Sequence, residues 1–315
     1  MAEGALEDYV AQCLQLAMLL EVSAYPKPGN VHRTRDFSDT RFEHFLASAV
    51  ALAPCWREAA RRGILISSGK LGPSGAKLGE LIKTGVEKAR TWHTGGNTSL
   101  GIVMLLAPMA VAAGSALEAG KLNERGLREN LRLVVEASTP LDAVNVYEAI
   151  SLANPGGLGK VEELDVRDPS SKTEILERGV TLLEVFKLAS PRDSIAFEWA
   201  NNFKITFELG YPFLTAELES SKDLNASIVN AFLKLLSEVP DSLIARKAGA
   251  EKALTVSNKA KEALEAGGLR TAEGRRLVAK LDEELARAGN ELNPGTTADL
   301  ISSTLAVAVL SGLRP

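Results

Sequence analysis

The chain has 315 residues, and its 36 Lys and Arg against 40 Asp and Glu give a formal charge of -4, which excludes a global basic field for nucleic acid and makes any phosphate site local. Cys13 and Cys55, the only cysteines, lie in helix-like apolar patterns, which speaks against a disulfide framework or a Cys-ligated metal. The start "MAEGALEDYV" carries acidic residues where a targeting segment carries basic ones, so a cytoplasmic location with no membrane partner is expected.

Apolar residues recur at helical spacing through Leu6, Val10, Leu14 and Met18, one stripe of a helix reaching about Ala24, where Pro26 and Pro28 stop it. Beyond it, "EVSAYPKPGNVHRTRDF" sets Lys27, His32, Arg33, Arg35 and Arg41 around Asp36 and Asp39. In an acidic chain this is an anion site or a solvated turn. Thr40 with Glu43 forms a capping-box pattern that opens a helix toward Arg62. Glu87 precedes His93 on a helix over about 75–92 and could project toward the following loop, although an exposed helical carboxylate is the ordinary case.

The loop "HTGGNTSLG" follows, just before the most apolar stretch of the chain. Gly95 and Gly96 can adopt positive φ, Asn97 or Thr98 can cap, and the free N–H groups of the first turn then make a nest for an anion. Thr94 to Leu117 has no charge, but its strongly apolar part is only Ile102 to Ala113 and Pro108 interrupts it, so it reads as a helix buried on all sides. Further helices are expected over about 123–137, from Thr139-Pro140, over 172–189, from Ser190-Pro191 with Asp193, and over 224–238, 241–266, 272–288 and 296–313. Asp241 starts one of these, with Arg246 and Lys247 about one and a half turns on. Before the last, "NPGTTADL" gives a Pro-Gly turn, cap residues and Asp299, which either favours the positive helix end or holds Mg²⁺ through oxygen.

No alternating strand run, repeat or linker is visible. The expectation is an all-α fold: a single domain over 1–315 of about eleven or twelve helices, with long connections at 63–73 and 154–171. His32, His44 and His93 are too scattered for a metal signature.

Taken in order, "EVSAYPKPGNVH", "DFSDTRF", "GVEKARTWHTGGNTSLG", "PDSLIARKAG" and "NPGTTADL" resemble the successive motifs of the triphosphoribosyl-dephospho-coenzyme A synthase family, from Glu21 to Leu300. The resemblance implies an all-helical transferase that joins the ribose of ATP to an alcohol acceptor, dephospho-coenzyme A or a related one, and releases adenine. ATP is then the substrate. Lys27, Gly29, Arg33, Gly95, Gly96, Asn97 and Thr98 would bind the nucleotide, with Pro26–Gly29 stiffening the turn that presents Lys27 to phosphate. Asp39, Glu87 and Asp299 would be the catalytic carboxylates, and Asp39 and Asp299 the ligands of Mg²⁺. The partners expected are these small molecules, without nucleic acid, and a homo-oligomer is compatible with the sequence. The chain departs from the family pattern at His32, where members carry Asp, at Ser99-Leu100, where they carry His-Lys, and at Asp241-Ser242-Leu243, where they carry Asp-Thr-Asn. It also contains "LANPGGLGKVEELDVRDP", which maps onto none of these motifs. The alternatives are another nucleotide- or pyrophosphate-dependent transferase on the same scaffold, or a noncatalytic nucleotide-binding protein.

Overall fold

The computed structural model describes residues 4–315. Among them the secondary structure is helical, with no strand and one isolated bridge between His32 and Arg35. The helices outnumber the eleven or twelve expected. Several stretches read as one helix are two. Pro54 has no N–H for the Val50 carbonyl, so the run toward Arg62 divides into Phe42–Ala51 and Ala53–Ser67. Its first turn is opened by Asp36, whose carboxylate accepts the Phe42 N–H at 2.9 Å, rather than by a Thr40–Glu43 box. The 172–189 and 241–266 stretches break at Gly179 (φ 68) and Gly249 (φ 95), where the left-handed backbone ends one helix before the next begins.

Tyr211–Ser221 lies outside every stretch expected to be helical. It continues from a π turn over Thr206–Gly210, where the Tyr211 N–H reaches back to Thr206. Pro212 falls where the ladder changes register, so its missing N–H breaks no regular bond.

The buried side chains form one continuous cluster from Val10 to Leu310, including both cysteines. Its centre is the helix Leu100–Glu118, buried throughout from Ile102 to Ala116. This helix is long and apolar enough to cross a membrane, and here its sides are covered by other helices. Pro108 leaves the Met104 carbonyl without its usual helical donor, and the Trp199 indole N–H supplies one at 3.1 Å. The helices Ala5–Ser23 and Gly295–Leu310 pack on it and on each other. The C-terminal end of the first and the N-terminal ends of the other two meet at one end of the bundle. That meeting place holds the candidate site.

Candidate active site

Three loops far apart in sequence close around one cavity of about 420 Å³, within the roughly 300–1,000 Å³ of small-molecule sites. Glu21 and Asn30 come from the first, Asn97 to Gly101 from the second, and Asn293 to Asp299 from the third. The loops are tied to one another. Asn30 donates to the Asn293 amide oxygen at 2.9 Å, Asn293 donates to Asn290 at 3.2 Å, and the Gly96 N–H donates to the Asp39 carbonyl at 3.2 Å. Asp282 holds the first loop from outside, accepting the Gly29 N–H at 3.1 Å and the Arg35 guanidinium at 2.9 Å.

Asp299 stands at the centre of this end. A Cβ on Gly101 would lie 2.0 Å from its Oδ2, so only glycine lets the carboxyl rest on the first turn of Leu100–Glu118. Burial pushes its pKa well above the ordinary carboxylate value, and the neighbouring Glu21, Asp241 and Asp193 push it the same way against the smaller pull of Arg246. It therefore tends to hold a proton. Glu21 is raised by burial too, against the pull of Lys27, its ion-pair partner.

Asp241 places the third loop. One oxygen caps Ser242–Ala248 by accepting the Leu243 and Ile244 N–H groups at 2.9 and 3.1 Å. The other accepts the Thr297 N–H at 2.7 Å and its hydroxyl at 2.8 Å. One buried carboxylate thus fixes the helix that carries Arg246 and the turn that carries Asp299. Asn97 does similar work in the second loop, its amide oxygen accepting the Ser99 and Leu100 N–H groups at 3.3 and 3.1 Å.

The opposite wall is apolar, with Val146, Ile150, Leu164, Val166 and Phe186, and much of it is the unmapped 154–169 connection. Tyr147 anchors that connection by donating its hydroxyl to the Leu164 carbonyl at 2.6 Å. Lys160 from the same segment, with Arg192 and Arg246, supplies the cations of the lining.

The anticipated site residues divide into three groups. Asn97, Thr98 and Asp299 face the cavity. Lys27, Gly29, Gly95, Gly96 and Asp39 belong to the loops that build it without lining it: Lys27 has no exposed surface and its ammonium is spent on Glu21 and Asn30, while Asp39 is exposed on the rim beside Asn290. Gly95 and Gly96 have negative φ, contrary to expectation. Gly95 is needed for space, since a Cβ there would lie 2.0 Å from the His44 ring, which stacks on His93. Arg33 and Glu87 are placed elsewhere. Arg33 bonds the Ser23 carbonyl and covers the Tyr25 ring, and Glu87 lies exposed on its helix outside the lining.

Glu21 was missed by sequence reasoning. Its signal was there: it falls on the buried stripe of Leu14, Ala17 and Met18. A carboxylate on such a stripe, six residues before a lysine, calls for a buried partner. His32 is buried beside Thr34 and Asp282 rather than in the cavity, whereas Ser99, Leu100 and Leu243, the other departures from the family pattern, do face it.

A family model described as ATP:dephospho-CoA triphosphoribosyl transferase matches residues 7–315. A Pseudomonas fluorescens Pf-5 protein named as a probable 2-(5''-triphosphoribosyl)-3'-dephosphocoenzyme-A synthase is 25% identical over 308 residues, covering 96% of this chain and 91% of that one. A Stutzerimonas stutzeri protein of the same name is 24% identical over 294 residues, covering 92% and 87%. A crystal structure named as a triphosphoribosyl-dephospho-coA synthase from Archaeoglobus fulgidus superposes with a TM-score of 0.65 at 30% identity, covering 87% of this chain and all of that one.

Proposed function

The chain belongs to the ATP:dephospho-CoA triphosphoribosyl transferase family, and from that premise we propose that the cavity under Asp299 moves the triphosphoribosyl group of ATP to a hydroxyl of dephospho-CoA. The C1'–N9 bond of ATP breaks, a C1'–O bond to the acceptor forms, and adenine leaves. Departing adenine takes the bonding pair and needs a proton, which Asp299 supplies. The acceptor hydroxyl loses a proton as it attacks C1', and that proton restores Asp299. The observation that carries this reading is the Asp299 carboxyl itself, half-buried at the cavity wall against Gly101, with Glu21, Asp193 and Asp241 around it, and so biased to the protonated form.

Positive character grows on the ribose as the bond breaks, and the carboxylates around Asp299 stabilise it. The first-turn N–H groups of Leu100–Glu118 and Gly295–Leu310 that Asn97, Asp241 and Asn293 have not already taken, with Lys160, receive the triphosphate. Lys27 acts by holding Glu21 in place, and Asp39 by holding the rim together through Asn290. The residues present do not make a resident Mg²⁺ site: among the described residues no three His, Cys, Asp or Glu groups are placed to hold a metal ion, Asp241 spends its oxygens on N–H and hydroxyl donors, Glu21 pairs with Lys27, and of Asp39 and Asp299 only Asp299 faces the cavity. Mg²⁺ is then the counter-ion that ATP carries on its own phosphate oxygens. A cytoplasmic location goes with nucleotide substrates.

A second reading, a different nucleotide-dependent transfer in the same cavity, is favoured by Ser99, Leu100 and Leu243 facing it where members carry polar or cationic residues. Product analysis separates the two. With ATP and dephospho-CoA, chromatography and mass spectrometry should find free adenine and, in equal amount, dephospho-CoA heavier by one triphosphoribosyl group. AMP or ADP as the nucleotide product, with no adenine, would favour the second reading.

A further inference from the structure

Beside the first cavity lies a second, of about 700 Å³, and the two share Arg192, Asp193 and Arg246 on their walls. The shared wall is anchored on both sides. The Arg246 guanidinium donates to one oxygen of Asp193, whose other oxygen caps Ser194–Ala200 by accepting the Ala196 N–H at 3.0 Å. Arg246 keeps a further donor: its Nε is buried and has no partner. An orphaned guanidinium N–H at a boundary between two cavities is a place for an anion. Beyond the boundary the second cavity turns apolar, with Phe197, Ile205, Leu209, Val239 and Pro240.

We propose that this second cavity takes the pantetheine arm of the acceptor. The inference rests on the transferase reading above, because the shape of dephospho-CoA supplies the match. That molecule is a nucleoside, a diphosphate and a long arm of methylenes, amides and two geminal methyl groups, in that order. Its nucleoside hydroxyl must reach Asp299 in the first cavity, its diphosphate then falls at Arg192 and Arg246, and its arm continues among apolar side chains. ATP, the other substrate, has nothing beyond its phosphates to fill such a space.

Ala250, exposed at the start of the helix Ala250–Glu265, lines the second cavity and not the first, so Ala250→Trp fills it without entering the core. Titration calorimetry with dephospho-CoA and with ADP, which has the same nucleoside and diphosphate but no arm, reads the cavity directly. The wild-type chain should prefer dephospho-CoA over ADP by about tenfold or more, and Ala250→Trp should lose most of that preference. ADP binding by the variant serves as its own check of folding. An equal preference in both proteins overturns the proposal. Because no turnover enters the measurement, a preference lost in the variant upholds the cavity even if adenine release fails, and a preference retained sinks it even if adenine is released.

Discussion

Lys27 is an ammonium with no exposed surface, and its cost of desolvation is met by Glu21 and Asn30 rather than by a phosphate. Burial alone drives the Lys27 pKa down and the Glu21 pKa up, so each depends on the other to stay charged. Removing one partner leaves the other buried alone, at about 3–5 kcal/mol. Lys27→Met and Glu21→Gln should each lose stability on that scale in urea unfolding, while the double variant should lose clearly less than their sum. Strictly additive losses would contradict the pairing, and a Lys27→Met protein of normal stability but weak ATP affinity would return Lys27 to phosphate. The loop motif singled out Lys27 for phosphate, and the fold pairs its ammonium with Glu21 and Asn30. "EVSAYPKPGN" shows the lysine but not that the turn folds it back onto the preceding helix, a tertiary contact that local spacing does not encode.

The helix Ser194–Ala200 and the π turn that follows it share one titrating group. Glu198 is buried and accepts the Ile205 and Thr206 N–H groups at 2.8 and 2.7 Å and the Thr206 hydroxyl at 2.5 Å. Burial outweighs these donors and pushes its pKa from 4.5 to about 7. Between those values the folded chain holds a proton that the unfolded chain has released. The stability this gives is therefore complete below pH 4.5 and lost as pH rises through about 7; a shift of this size is worth on the order of 3 kcal/mol. Glu198→Gln should remove that slope, so thermal melts of the variant should gain on the wild type between acid and neutral pH. Parallel melting curves across that range would show that Glu198 is ionised in the fold throughout.

Helix existence was legible wherever apolar periodicity ran long, as in Leu100–Glu118 and Ala272–Arg287. Boundaries were legible where a cap had two parts: Thr139 and Asp142 cap each other as their spacing predicts. What failed was the weighing of single breakers. Gly179 and Gly249 ended helices that periodicity carried across them, and Pro212 sits at the start of a helix because a π turn precedes it. Periodicity cannot separate these cases, since the deciding bonds are backbone bonds of neighbouring turns.

At the scale of the molecule, three Gly- or Pro-punctuated loops converge because the helices they serve pack on one another. Their chemistry was visible in the sequence; their convergence followed from packing. The apolar wall from the 154–169 connection and the second cavity behind Arg246 were not visible, because each is made of side chains that are unremarkable until brought together. In the proposed reaction the Asp299 carboxyl carries the proton on which adenine release depends. Asp299→Asn keeps the size of the side chain and removes the acid, so the measurement is adenine released per enzyme from ATP and dephospho-CoA, with nucleotide binding followed alongside. Release should fall by on the order of a hundredfold or more while ATP affinity changes little; adenine appearing at the wild-type rate from Asp299→Asn would contradict the account.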